Sequence, residues 1–281
     1  MVGRLILFGL IIGIAAGLLA FGWARAFGEA QVETAIAFES AHSEAHEEAG
    51  AEAAGHHHEA AEAAEPAGTE PADHHNEAAE AAAAEPAGHH HGDEETEIFS
   101  RTVQSGIGLL TGLVVVGAGL GCLFAVLFAL AYGRIGAISA GPTAALLSAL
   151  GLLSVYLVPA LKYPANPPAV GEPDTIRLRT GLYFLMVAIS IAATVVAWMT
   201  RRRLLARHGA WNSSVAAVGV YLVVIALAFT VLPTINEVPV GFPADTLWSF
   251  RVASIGLQTV LWGSIGVMFG YVGERTMGQN R

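Results

Sequence analysis

Ten of the chain's 11 histidines fall in one stretch: His42, His46, His56, His57, His58, His74, His75, His89, His90 and His91. Neutral imidazole is the commonest protein ligand for borderline divalent metals, and carboxylates complete such shells. The stretch repeats itself: "HHHEAAEAAEPAG" at 56–68 returns as "HHNEAAEAAAAEPAG" at 74–88, and "HHHGDEE" follows. Each unit opens on a histidine cluster, which a merely tolerated low-complexity insert would not need. From 28 to 100 the composition is mainly Ala, Glu, His, Gly and Pro, with few aromatic or β-branched residues after Phe38. Such a chain buries too little apolar surface to offset its entropy. The expectation is a largely disordered loop, transiently helical where Ala and Glu run together. A flexible chain of this kind wraps an ion without a preformed site and selects poorly among Co, Ni and Zn. Metal capture is the chemistry these residues offer.

Two shorter stretches carry the other candidate ligands. "LKYPANPPAVGEPDTIRLRTG" (161–181) holds Asn166, Glu172 and Asp174, and "LPTINEVPVGFPADTLWSFRVAS" (232–254) holds Asn236, Glu237 and Asp245. Both pass through a proline-rich turn, reach Asp-Thr and an aliphatic residue, and end on arginine: Asp174-Thr175-Ile176 to Arg179, and Asp245-Thr246-Leu247 to Arg251. The histidine loop closes the same way, from Glu95-Thr96 to Arg101. Helix capping accounts for the acid-Thr pairs by itself, since acids suit the positive end of a helix. Arginine at a membrane interface reaches the headgroups. Capping does not explain why six oxygen-bearing side chains sit on proline-stiffened turns. The second reading is a vestibule for a hydrated cation, its carboxylates held by Arg179 and Arg251 through charge-assisted bonds.

The elements that position these groups are apolar. Hydrophobic residues make up 54% of the 281 and charged residues only 14%, where soluble domains carry about a quarter. Mean hydropathy is +0.53. The apolar residues fall into six blocks: Leu5–Ala24, Gly106–Tyr132, Thr143–Leu161, Gly181–Thr200, Val215–Leu232 and Val252–Tyr271. Each is about 18 residues or longer, enough to cross a bilayer core of about 30 Å, and none contains Asp, Glu, Lys, Arg or His. The expected fold is an all-α integral membrane protein with about six transmembrane helices, arranged as three out-and-back hairpins. Residues 1–27 form the first helix, 28–100 the long loop, and 101–281 a five-helix region with outer loops at 162–180 and 233–251. An apolar first block near 20 residues exceeds the roughly 7–15 of a signal peptide, so a retained helix is expected. Gly117, Gly119 and Gly121 in the second block suggest close helix packing, because no G-x-x-x-x-G-K-[ST] loop occurs.

Orientation follows the arginines. "RRRLLAR" at 201–207 packs four into seven residues, which favours cytoplasmic N and C termini. The long loop and both proline loops then lie outside, with Glu274 the sole acid inside. An anionic, imidazole-rich outer face attracts cations. No block holds the paired carboxylates or histidines that a membrane enzyme would need, so no catalytic residue is assigned. The lone Cys122 excludes an intrachain disulfide. The bilayer is the expected partner, and no nucleic-acid partner or organic cofactor is expected.

The proline loops and the closing "LQTVLWGSIGVMFGYVGER" resemble the CbtA family, cobalt transporter subunits of bacteria. The likeness runs through a first helix, a variable insert, and the hairpins carrying "KYPANPPAVG" and "NEVPVGFPADTLWSFR". It implies cobalt uptake linked to cobalamin, an inner-membrane location, and a small single-helix CbtB-type partner with a histidine motif. Family members are often described with five helices, one fewer than the blocks here. The resemblance supplies no ligand residues. The alternative is a membrane-anchored buffer or sensor for Ni, Zn or Co, without transport of its own.

Overall fold

A computed structural model describes residues 2–59, 100–136 and 138–277, with side chains over 3–44, 100–136 and 138–276. Every regular element among them is helical: α1 (Val2–Trp23), α2 (Glu29–Glu59), α3 (Arg101–Val103), α4 (Leu109–Ala131), α5 (Ala140–Gly151), α6 (Val158–Lys162), α7 (Ile176–Val231) and α8 (Ala244–Met277). Wide π turns at Ala24–Gly28, Gln104–Gly108 and Leu152–Leu157 join α1 to α2, α3 to α4 and α5 to α6. Five helical stretches among the described residues are long and apolar enough to cross a membrane. Met1–Glu39 with Thr102–Arg281 makes one compact unit and Ser40–Arg101 another.

Two of the six apolar blocks lie on the single element α7. It is interrupted at Gly209, whose φ of 74° and ψ of 172° are not helical. Glycine takes this positive φ without steric cost. The two arms fold back on each other. Ser190 Oγ lies 3.0 Å from Tyr221 Oη, and Arg201 Nε donates to Ser214 Oγ at 3.1 Å. Met186 and Ala193 on one arm share a core with Ile225 and Ala228 on the other. Full burial of Met186 makes it a packing residue.

The tightest packing joins α1 to α4. Gly9, Gly13 and Gly17 recur every fourth residue and meet Gly121, Gly117 and Leu113 in antiparallel register. A Cβ built on Gly13 would fall on the carbonyl oxygen of Gly117, and one on Gly9 on that of Gly121. Small residues at this spacing let helix backbones touch where lipid gives no hydrophobic drive to associate. Gly119, two residues from each partner, faces open space. The same side of α1 buries Ile12, Ala16 and Ala20 with Phe124 and Phe128 of α4 and Leu261, Ile265 and Phe269 of α8. The Phe124 and Phe269 rings meet edge-on at 5.2 Å. Against α8, α5 is fixed by Ser148 Oγ donating to the Trp262 carbonyl at 2.5 Å. At its N-terminus the Gly141 N–H donates to Glu274 Oε1 at 2.7 Å. Glu274 thus satisfies a backbone donor that the helix itself cannot.

Part of the segment expected as a disordered loop is helical. The chain leaves α1 through its wide turn and stays helical to Glu59. The physical reason is composition together with an anchor. Ala and Glu are strong helix formers. Near the start of α2, Ala35 is fully buried against Val170 and Phe242, and Phe38 meets Phe242 edge-on at 5.1 Å. A helix begun by tertiary packing avoids the costly first turn, after which each Ala or Glu extends it cheaply. Residues 60–99 lie outside the described residues.

Candidate functional site

The loops 163–172 and 232–243 meet around a partly open cavity of about 580 Å³, walled also by Arg179, Tyr183 and Arg251. Their shapes come from proline and glycine. Prolines fix φ on both sides of each turn, and a backbone bond closes each: Val170 N–H to the Pro167 carbonyl, and Phe242 N–H to that of Pro239. The third residue of each turn has positive φ, Ala169 (66°) in the first and Gly241 (84°) in the second, and Gly171 (φ 124°) follows the first turn. A side chain at Gly171 would be strained by its positive φ, and its Cβ would displace the Arg179 guanidinium. Lys162 and Tyr163 pin one loop to the other: Lys162 Nζ donates to the Phe229 carbonyl at 2.9 Å and to Thr234 Oγ1 at 3.0 Å, and Tyr163 Oη to the Pro233 carbonyl at 2.8 Å.

Both arginines reach across to the other loop, and Arg179 also keeps its own, donating from Nη2 to the Glu172 carbonyl at 3.3 Å. Arg179, which follows the first loop, lies 3.3 Å by Nε from Glu237 Oε2 of the second. Arg251, which follows the second, donates from Nη2 to Asn166 Oδ1 of the first at 3.0 Å and from Nε to the Ala165 carbonyl at 3.3 Å. Glu237 Oε2 also accepts the Glu172 N–H at 2.9 Å. Sequence order had suggested that each arginine holds the acid just before it. Thr175 does not cap α7; its hydroxyl oxygen lies 3.0 Å from the Glu172 carbonyl oxygen, beside the Glu237 carboxylate. The Glu172 N–H, then the Thr175 hydroxyl, then Arg179 hold the Glu237 carboxyl below the usual carboxylate range, against the opposing effect of burial.

This depressed pKa sets a pH window. The latch is fully formed above the ordinary carboxylate pKa and is lost as pH falls through Glu237's lowered value. A double-mutant cycle of Arg179→Ala and Glu237→Ala, followed by thermal unfolding, is expected to give a favourable coupling that added salt weakens. The coupling should survive at about pH 5, because the folded-state pKa is the lower one. Zero coupling at neutral pH would show that the contact stabilises nothing.

Of the six loop candidates, Asn166, Asn236 and Glu237 line the cavity. The side chains of Glu172, Asp174 and Asp245 are exposed and outside its lining, although the Glu172 backbone serves the latch. Tyr163 and Tyr183 also line it, as do both arginines. The tyrosines carried no signal in sequence beyond their place beside the prolines. Of the histidines, His42 is exposed on α2; the backbones of His46, His56, His57 and His58 are helical. His74, His75, His89, His90 and His91 lie outside the described residues, as do the side chains of those four. Among the described residues, no three of His, Cys, Asp and Glu converge to hold a metal ion.

The family model described as "Probable cobalt transporter subunit (CbtA)" matches residues 2–74 and 67–274. The chain belongs to the CbtA family. No curated protein and no solved structure matches it. In this CbtA chain the two matched stretches overlap at 67–74, inside the histidine-rich segment, so both proline loops and the described helices lie within matched residues, except for the end of α8 past 274. The family is one of transporter subunits, which fits a chain of apolar helices with a cavity of mixed polar and apolar lining at one set of loops.

Proposed function

We propose that this CbtA chain is the membrane subunit of a divalent-cation uptake system whose cargo is cobalt, working with a small single-helix CbtB-type subunit. The observation that carries the proposal is the family match across 2–274, which covers the loop cavity as well as the helices. In this reading the chain crosses a bacterial inner membrane six times, counting the arms on either side of Gly209 as separate spans. The break at Gly209 and the arginines just before it, Arg201 to Arg203 and Arg207, support a cytoplasmic turn there. Both termini are then cytoplasmic, and the latched loops face outward.

The histidine-rich segment is the capture element in this proposal. His42, His46, His56, His57, His58, His74, His75, His89, His90 and His91 take up the ion as neutral imidazoles. Glu172, Asp174 and Asp245 supply oxygen ligands at the rim, and Asn166, Asn236 and Glu237 line the passage. No chemical step on an organic substrate is involved, and nothing in the chain hydrolyses ATP. The inside-negative potential drives a cation inward by about 2.3 kcal/mol per charge per 100 mV.

The test is labelled-cobalt accumulation by cells lacking their own uptake system, expressing the chain alone or with the single-helix partner. Accumulation several-fold above the empty-vector control, abolished when the chain is omitted, is the expected outcome. Accumulation equal to the control in both, with the chain present in the membrane, would rule the uptake function out.

A further inference from the structure

The loop-end cavity holds a positive charge that its own walls do not offset. Glu237 is occupied: its Oε2 takes the Glu172 N–H and the Arg179 ion pair, so those two charges balance each other. Arg251 differs. It is half-buried and lines the cavity, and no carboxylate among the described residues pairs with it. Its partners are the neutral Ala165 carbonyl and the Asn166 amide, and Nη1 makes no hydrogen bond to the described residues. A guanidinium only donates, so the Asn166 oxygen must be the atom facing it, which leaves the amide NH₂ as a further donor on the cavity wall. Asn236 adds another amide on the opposite loop.

A partly buried charge without a counter-charge is costly unless something pairs with it. A wall of guanidinium and amide donors is matched by an acceptor of opposite sign, and the arginine fork matches a carboxylate in geometry as well as charge. The cavity's size, about 580 Å³, is in the range of sites for small organic ligands. We infer that the cavity between the two proline loops binds a small carboxylate anion, through Arg251 with Asn166 and Asn236. Such an anion can arrive free or already chelating a divalent cation. The second form would name the substrate class of the proposed uptake reaction, and only that form rests on the uptake reading.

The test uses the full chain in zwitterionic nanodiscs, with metal-free citrate as probe and calorimetry as readout. Saturable citrate binding is expected, weakened at least tenfold in Arg251→Gln. Should that variant fail to fold, Asn236→Asp decides, because Asn236 is exposed and its replacement leaves the Arg251 bonds intact. It also separates the two signs of ligand: a new negative charge weakens an anion site and strengthens a cation site. At least tenfold loss of citrate affinity in Asn236→Asp supports the inference; no saturable citrate binding, or affinity unchanged or raised in Asn236→Asp, overturns it. Displacement of labelled citrate by cobalt–citrate at a lower concentration than by citrate alone identifies the chelate as the ligand, and the reverse order identifies the free anion. A chain that binds citrate without moving cobalt sinks the uptake reading alone, while one that moves cobalt and ignores citrate sinks this inference alone.

Discussion

Replacing Gly13 with leucine is expected to lower the yield of folded, membrane-inserted protein by more than about tenfold, equivalent to at least about 1.4 kcal/mol. In α1 and α4 the contact is backbone on backbone, so a new side chain at Gly13 meets the Gly117 carbonyl and the Ala118 Cα, neither of which can rotate away. Overpacking a core that can adjust costs about 1–3 kcal/mol. Here relief requires moving two helices apart, which also opens the cluster formed by Ile12, Ala16 and Ala20 with α8. Gly119→Leu is the internal control. It lies on α4 between the two contact glycines but faces open space, so its yield should match the parent. Size-exclusion profiles of fluorescent fusions give both numbers in one experiment. Equal recovery of the two variants would mean that α1 and α4 do not pack as described.

Deleting His56–His91 is expected to raise the cobalt concentration for half-maximal uptake by about tenfold or more while leaving the maximal rate unchanged. A tethered ligand set raises the ion's local concentration but adds no route across the bilayer. Its benefit is therefore confined to scarce metal. Binding needs neutral imidazole, so the parent's advantage should disappear as pH falls below about 6.5. Uptake abolished at saturating cobalt, with normal expression, would assign the segment to the transport path itself. An advantage that persists unchanged at about pH 5 would exclude histidine as the ligand.

The helices were legible because bilayer-length apolar blocks leave few alternatives. Gly117 and Gly121 also behave as the sequence suggested, while Gly119, in the same run, does not. The difference is angular position: residues four apart share a helix face, and one two residues away lies nearly opposite. The extent of α2 was not legible. Composition measures whether a segment can stabilise itself, and Ala35 and Phe38 draw their stability from Val170 and Phe242, more than a hundred residues away. Nor was the reach of each arginine across to the other loop. The repeat places each arginine a few residues after its own acid, and both arrangements are consistent with that spacing. Only the approach of the two loops sends Arg179 to Glu237 and Arg251 to Asn166. The role of Glu274 was equally hidden, since its partner is the backbone of Gly141.

The central claim is that this chain moves cobalt, and purified protein in sealed liposomes tests it most directly. Labelled cobalt outside, an imposed inside-negative potential, and vesicles with and without the single-helix partner are the conditions required. A doubly charged ion gains about 4.6 kcal/mol per 100 mV, twice the single-charge value, so accumulation should rise steeply with the potential and collapse when it is dissipated. The account predicts potential-dependent entry that requires this chain. Cobalt that binds to the vesicles but never enters, with or without the partner and at any potential, would contradict it and leave a membrane-anchored metal buffer or sensor.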